Sequence, residues 1–271
     1  MNPILSGDTS SKGDEFSKKN REHFDKVATS DWPAWISVLH KQIQDFLESS
    51  EFHEWANLGS TNNHRRMLDY ACGDGVISRI LKPLFSFVLG VDVSAGMVEK
   101  YCTIAKNLGF SPNEMIGVRG DLISPNAPPT EPALQEKDLW NFDFVAISLA
   151  LHHIEDPQNA ITQLASRLSV GGKLLVIDWT PINGSTPAQR NYQEEVRQKN
   201  EEERIELALK SHAASHTVSK PNGFTYDEQD ELFRAAGCDD VKWRLAEELI
   251  YIPAVDAKAQ LYWAIATKSV N

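Results

Sequence analysis

Hydrophobic positions along the chain follow two rhythms in turn. Residues 1–13 show neither and predict a loose polar tail. From residue 14 to about 60 the apolar positions recur at helical spacing. Phe16, His23, Phe24 and Val27 share one face; Trp35, Val38, Leu39, Ile43, Phe46 and Leu47 share another, behind Asp31 as an expected N-cap. Gly59–Asn63 then reads as a turn-rich break. Beyond it, short apolar runs alternate with helical ones. Met67–Tyr70, Val88–Val91, Met115–Val118, Phe142–Ser148 and Leu174–Asp178 predict buried strands. Ile77–Leu81, Met97–Leu108 and Ala160–Leu168 predict helices between them. Asp156-Pro157 starts the last of these helices, and Gly171-Gly172 is expected to stop it. Such alternation implies an α/β fold with a parallel sheet and right-handed crossovers. Phe144–Ile147 is apolar throughout, as a central strand covered on both faces requires.

Residues 181–224 interrupt the alternation. Pro, Gly and Ser lead into a charge-rich stretch, Asn191–Lys210, which predicts a solvated helix face. Thr225-x-x-Glu228 is a capping-box pattern, and Leu232, Phe233 and Ala236 follow before Gly237 ends that helix. Val241–Leu249 and Gln260–Thr267 close the chain as extended segments. One domain over 14–271 is expected, with N-terminal helices at 14–60, the alternating core at 64–180, an insertion at 181–224 and a C-terminal helix and strands at 225–271.

Composition narrows the class. With 41% hydrophobic and 24% charged residues in 271, a sizeable core can form and bulk disorder is excluded. A net charge of −11 repels phosphate backbones and anionic membranes, so nucleic acid is not an expected partner. The apolar run Phe144–Leu151 is too short for a membrane span, and the N-terminus lacks the basic start and apolar stretch of a signal peptide. Cys72, Cys102 and Cys238 lie far apart with no CxxC, which predicts neither a disulfide framework nor a cysteine zinc site. A cytoplasmic or nuclear protein is expected.

Candidate chemistry gathers at the strand ends. Leu68-Asp69-Tyr70-Ala71-Cys72-Gly73-Asp74-Gly75 ends the first strand and opens a helix. Gly73 and Gly75 remove Cβ atoms where the backbone must turn sharply and approach a ligand. The helix that follows offers free N–H groups to the crevice. Nineteen residues past Gly73, Asp92 ends the second strand, where a carboxylate can accept both hydroxyl protons of a ribose. Together these point to a bound nucleoside. Ser78 stands where a dinucleotide fold needs its third glycine, and no GK[ST] follows, so neither a dinucleotide nor a triphosphate loop is indicated.

The Leu68–Gly75 stretch resembles motif I of the class I S-adenosylmethionine-dependent methyltransferases, an acidic residue and two small ones before G-x-G. Gly90-Val91-Asp92-Val93-Ser94-x-x-Met97 is similar to motif II and its helix, and Gly120-Asp121-Leu122 to the motif after strand three. Phe142 through Ile154 looks like motif IV, and Leu168-x-x-Gly171-Gly172-x-Leu174 like motif VI. These motifs cover residues 66–180 in the family's order. The resemblance implies a Rossmann-like, doubly wound sheet of about seven mostly parallel strands, the last antiparallel. The N-terminal helices and residues 181–224 would form a substrate lid over it. It also implies S-adenosyl-L-methionine as methyl donor and S-adenosyl-L-homocysteine as product. By that likeness Ala71, Cys72 and Gly73 would meet the methionine part through backbone, and Asp69 would orient its amino group. Asp92 would hold the ribose, and Val93 and Met97 would pack near the adenine. Asp121 and Leu122 would bracket the adenine edge, and Ser148 would lie near the methionine moiety.

His152 and His153 follow strand four, where the transferable methyl would face its acceptor. An imidazole there suits general-base work at neutral pH, although transfer can also run on alignment alone. Phe24, Trp32, Trp35, Trp179 and Tyr192 are candidates for an aromatic entrance or for core packing. His212 and His216 have no HExxH or cysteine companion, and Ser148 stands where metal-dependent catechol methylation wants a carboxylate, so no metal is expected. DPPY, the acidic hairpin of arginine methyltransferases and a SET-type pattern are missing. The N-terminal helices and the Gly223–Cys238 segment look like small-molecule methyltransferases of the ubiquinone-biosynthesis type, and also like fungal methyltransferase-like regulators. A small-molecule acceptor is therefore the expected partner, with a protein substrate or a regulatory role in a protein complex as the alternative.

Overall fold

A computed structural model describes residues 10–58, 64–124, 136–213 and 217–270 of the chain. Five strands run parallel: β1 (Arg66–Tyr70), β2 (Phe87–Asp92), β3 (Met115–Arg119), β4 (Phe142–Ser148) and β5 (Leu168–Thr180). At the C-terminal end, β6 (Cys238–Leu245), β7 (Ile250–Ile252) and β8 (Ala257–Lys268) follow. β8 pairs antiparallel with β5, with β6 and, at its start, with β7. The order is β3-β2-β1-β4-β5-β8-β6, with β7 off that path. This is the doubly wound α/β arrangement expected. The chain leaves β1 in one direction and resumes at β4 in the other, so their C-terminal ends flank the crevice where such sheets bind ligands.

Alternation within each strand divides the core into two layers. Met67, Phe144 and Leu175 face one layer with Ile43, Phe46 and Phe52 of the helices α2 (Ala34–Leu47) and α3 (Ser50–Ala56). Leu68, Val145 and Leu174 face the other, with Ile161 and Leu164 of α6 (Pro157–Ser166) and Phe233 of α9 (Tyr226–Ala235). Both faces of β4 are covered, which is why its sequence cannot alternate. Each such fully buried side chain contributes about 1.5–3 kcal/mol.

One packing feature fixes the ligand loop. After β1 the chain enters α4 (Val76–Leu81), and after β2 it enters α5 (Ala95–Asn107), whose Tyr101 ring is fully buried. A Cβ added at Gly75, Gly90 or Gly117 would lie 2.6, 2.7 or 2.8 Å from that ring. The three glycines therefore make room for one tyrosine, whose hydroxyl donates to Ser78 Oγ at 2.9 Å. Ser78 in turn donates to Asp69, so the residue that replaces the third glycine of a dinucleotide loop links the loop to the core.

Several local expectations change. Helix α1 (Ser10–Ala28) begins inside the stretch read as a loose tail, while residues 1–9 and 59–63 lie outside the described ones. Asp31 does not cap α2: Pro33 holds the N-cap position, and the preceding Trp32 turns its indole toward Asp74. Gly171-Gly172 does not stop α6, which ends at Ser166; the pair sits in β5 opposite an irregularity in the β4 register, Gly171 at φ +80°. A positive φ suits a bulge as well as a helix end, and spacing alone does not separate the two. The capping box at Thr225 and Glu228 is formed, with Gly237 at φ +73° behind α9.

Of the two stretches expected as a lid, 14–60 reaches the crevice through α1 and α2. The helices of the insertion, α7 (Pro187–Gln198) and α8 (Glu201–Ala213), are tied instead to the turn and start of β8. Gln189 bonds Gln260 at 2.6 Å, Glu195 pairs with Lys258 at 2.7 Å, and Lys210 with Asp256 at 3.5 Å.

Candidate active site

A cavity of about 840 Å³ lies at the C-terminal ends of β1, β2 and β4, beneath α1 and α2. Its floor is the β1–α4 loop. Ala71 adopts φ +54° and Gly73 φ +52°, and Leu149, just past β4, also adopts φ +54°. Left-handed backbone at two non-glycine residues costs of order 1–3 kcal/mol each and persists where the surroundings enforce it. A Cβ on Gly73 would meet nothing within 4 Å, so open space lies directly above that residue.

Three carboxylates line the cavity at the ends of successive strands. Asp69 accepts from the Ser78 amide at 3.1 Å and its hydroxyl at 2.7 Å. Burial, with help from nearby Asp92, pushes its pKa up to about 7. Asp92 accepts from the Gly73 and Ser94 amides, each at 2.9 Å, and burial raises its pKa as well. Asp121 accepts from the Tyr70 hydroxyl at 2.8 Å and from the Ile123 amide at 3.0 Å. Backbone donors thus hold the carboxylates in place, but no lysine or arginine salt bridge reaches Asp69 or Asp92 among the described residues. Such a group gains most from a ligand that brings a cation or hydroxyl donors.

Of the residues expected at the site, Asp69, Ala71, Cys72, Gly73, Asp92 and Val93 line the cavity, as do Met97, Asp121, Ser148 and His153. Leu122 and His152 do not. Leu122 is buried in the layer under α6. His152 turns inward, its Nδ1 2.6 Å from Asp178 Oδ1 and its amide donating to Asp178 Oδ2 at 3.0 Å. Its carbonyl accepts from the amides of Ser219 and Lys220, so this pair clasps the end of the insertion to the β4 loop. His153 does face the cavity. Its Nδ1 lies 2.6 Å from the Thr217 carbonyl, which places the proton there and leaves Nε2 as the lone-pair atom. Burial, and then the neighbouring His152, lowers its pKa to about 4. The imidazole is neutral at physiological pH. Burial pushes the Cys72 thiol well up, away from nucleophilic chemistry.

The roof comes from α1 and α2, with Asn20, Asp25 and His40 joining the expected Phe24 and Trp32. Phe24 stacks edge-on against His153 at 5.4 Å, and Asn20 donates to the His153 carbonyl at 3.2 Å. Asp25 accepts from Ser94 Oγ at 2.6 Å and from the Gly96 amide at 3.2 Å, binding α1 to the start of α5. Trp32 donates to Asp74 at 2.8 Å, and His40, its pKa lowered by burial, lines the cavity from α2. Trp35 and Trp179 pack against the core, and Tyr192 accepts from the Lys258 amide, so the expected aromatic entrance reduces to Phe24 and Trp32 among those five. No cluster of three or more metal-ligating side chains occurs among the described residues; His216 and the side chain of His212 lie outside them. No described helix is long and apolar enough to cross a membrane.

Residues 39–242 match a family described as a methyltransferase domain. The chain is 33% identical over 185 residues to an uncharacterized methyltransferase of Schizosaccharomyces pombe, covering 59% of this chain and 63% of that protein. It is 29% identical over 110 residues to a ubiquinone biosynthesis O-methyltransferase of Coxiella burnetii, covering 41% and 42% of the two chains. The matched regions thus fall short of two thirds of either relative. Among solved structures, magnesium protoporphyrin IX methyltransferase from Synechocystis, with bound S-adenosylhomocysteine, superposes with a TM-score of 0.55 at 16% identity. That superposition covers 95% of this chain and 99% of the other, a likeness of fold.

Proposed function

The chain belongs to this methyltransferase family, and we propose from that premise that it transfers a methyl group from S-adenosylmethionine to an oxygen, nitrogen or carbon nucleophile of a small molecule. The observation that carries the reading is the set Asp69, Asp92 and Asp121, three carboxylates at consecutive strand ends around the open space above Gly73. The donor's ammonium, ribose hydroxyls and adenine amine are the groups such a set can satisfy. When bound, it supplies an electrophilic methyl on a sulfonium.

The chain's own residues would do the rest. Asp92 would accept the ribose hydroxyls, Asp69 would face the ammonium, and Asp121 the adenine edge, with Val93 and Met97 packing beside it. Ala71, Cys72 and Gly73 would offer backbone to the methionine part, near Ser148. His153 Nε2 would take a proton from the acceptor. The α1 and α2 roof would exclude water, so that alignment in a dry site contributes much of the rate.

The cavity's place beneath α1 and α2, together with the relative named for ubiquinone biosynthesis, supports a small acceptor over a protein tail. Three unpaired cysteines fit a reducing compartment such as the cytoplasm. Incubating the protein with methyl-labelled S-adenosylmethionine and either a metabolite extract or a proteome tests this. Label in the small-molecule fraction is expected; label confined to protein would move the function to a protein methyltransferase.

A further inference from the structure

The methionine end of the donor carries two charges. Asp69 would face the ammonium, and the α-carboxylate beside it needs a donor of its own when it leaves water. The β1–α4 loop has little to give, because its Cys72, Gly73 and Gly75 amides already donate to Val91, Asp92 and Cys72. Most nitrogen donors that line the cavity are also committed. Asn20 Nδ2 serves two carbonyls, Asn159 Nδ2 the Ile123 carbonyl and Trp32 Nε1 Asp74, while His153 Nδ1 lies on the Thr217 carbonyl. Lys18 is mostly exposed, 3.9 Å from Glu22.

Arg21 and His40 remain, and they stand at different ends. Arg21 acts on Asp25, which bonds Ser94 and Gly96 just past β2, where the ribose carboxylate Asp92 lies. His40, on α2, stands over the loop after β1. Its ring centroid is 6.4 Å from that of Trp32, whose indole donates to Asp74, the residue after Gly73. Asp74 and Arg79 both act on it electrostatically. Asp74 itself is answered, with Trp32 on Oδ2 and Arg79 3.7 Å from Oδ1. The His40 ring makes no hydrogen bond among the described residues, so either nitrogen can carry its proton.

We propose that His40 binds the α-carboxylate of the donor, a ring N–H donating to a carboxylate oxygen. The inference rests on the methyltransferase reading and deepens it: Asp69 from the floor and His40 from the roof hold the two charges of one amino-acid head. Helix α2 thereby belongs to the donor site, and the site selects the amino-acid form over a compound that keeps only the amine. Burial lowers the His40 pKa, so at pH 7.5 the ring is neutral and the contact is a hydrogen bond.

Calorimetry on the full chain at pH 7.5 compares S-adenosylhomocysteine with its decarboxylated analogue, the 3-aminopropyl thioether of adenosine, which lacks only the carboxylate. In His40→Leu the affinity for S-adenosylhomocysteine is expected to fall at least fivefold and that for the analogue less than twofold. His40→Ala should repeat this pattern with a smaller side chain. His40→Gln keeps an N–H donor and should hold the ratio of the two affinities within threefold of wild type; a ratio no better than in His40→Leu would make the contact mere packing and overturn the proposal. Arg21→Leu should leave the ratio unchanged. Equal losses for both ligands in the leucine and alanine variants, no loss in either, or a ratio that falls in Arg21→Leu and not in His40→Leu, would overturn it while leaving donor binding intact. Failure of the wild-type chain to bind S-adenosylhomocysteine overturns it together with the reading beneath it.

Discussion

Asp69 should make cofactor affinity depend on pH. In the free protein its pKa stands at about 7 because burial penalises the carboxylate. Its ionised fraction is then about 0.1 at pH 6 and about 0.5 at pH 7. An ammonium docked beside it would favour the charged form, so binding at pH 7 should release roughly half a proton. Affinity for S-adenosylhomocysteine should rise about fivefold from pH 6 to pH 7, close to 1 kcal/mol, in a window below the titration of the ligand's own amine. Fold stability carries the opposite sign. Between pH 4 and 7 the folded protein holds a proton on Asp69 that the unfolded chain has lost, so this contribution declines as pH rises through that range. Calorimetry in phosphate and in Tris, whose ionisation heats differ, reads the proton release directly. Asp69→Asn should bind more weakly and show no slope. Flat affinity with heats independent of buffer, or the same slope in Asp69→Asn, would refute the assignment of the ammonium to this carboxylate.

Three other perturbations follow from the geometry. Gly73→Val should abolish S-adenosylhomocysteine binding while lowering the melting temperature only slightly, because the added side chain enters open space above a left-handed residue at a cost of about 1–2 kcal/mol; normal calorimetric affinity would move the ligand elsewhere. Gly90→Ala should destabilise by about 1–3 kcal/mol in urea unfolding through its clash with Tyr101, and Tyr101→Leu added to it should recover part of that loss. Asp178→Ala should cost about 3 kcal/mol by leaving the His152 and Trp179 donors unpaired, with S-adenosylhomocysteine affinity within threefold of wild type; a large loss of affinity would place that pair in the binding site.

The strands were legible because their apolar runs are short, and because the Phe144–Ile147 stretch of β4, covered on both faces, is apolar throughout. The β1–α4 loop was legible because glycine is needed where backbone turns sharply, and because an acidic residue at a second strand end has few structural uses. Gly90 and Gly117 carried a signal that went unread: glycine inside a strand marks close approach, here of Tyr101. The N-terminal helices were expected over the crevice, but the contacts that fix them there were not legible. Asp25 to Ser94, Trp32 to Asp74 and Asn20 to His153 join residues 42–133 positions apart, and no local spacing encodes such contacts. The two adjacent histidines also looked equivalent in sequence. Only the packing of β5, which brings Asp178 against His152, turns one inward and leaves the other facing the cavity.

Ligand affinity in wild type and Asp92→Ala tests the central claim most directly. Asp92 is held by the Gly73 and Ser94 amides at the end of β2, and its place in the account is to accept ribose hydroxyls. By isothermal calorimetry the wild-type chain should bind S-adenosylmethionine and S-adenosylhomocysteine in preference to NAD. The alanine variant should lose about 1–3 kcal/mol for both, roughly 5- to 150-fold. Unchanged affinity in Asp92→Ala, or tighter binding of NAD by the wild-type chain, would contradict it.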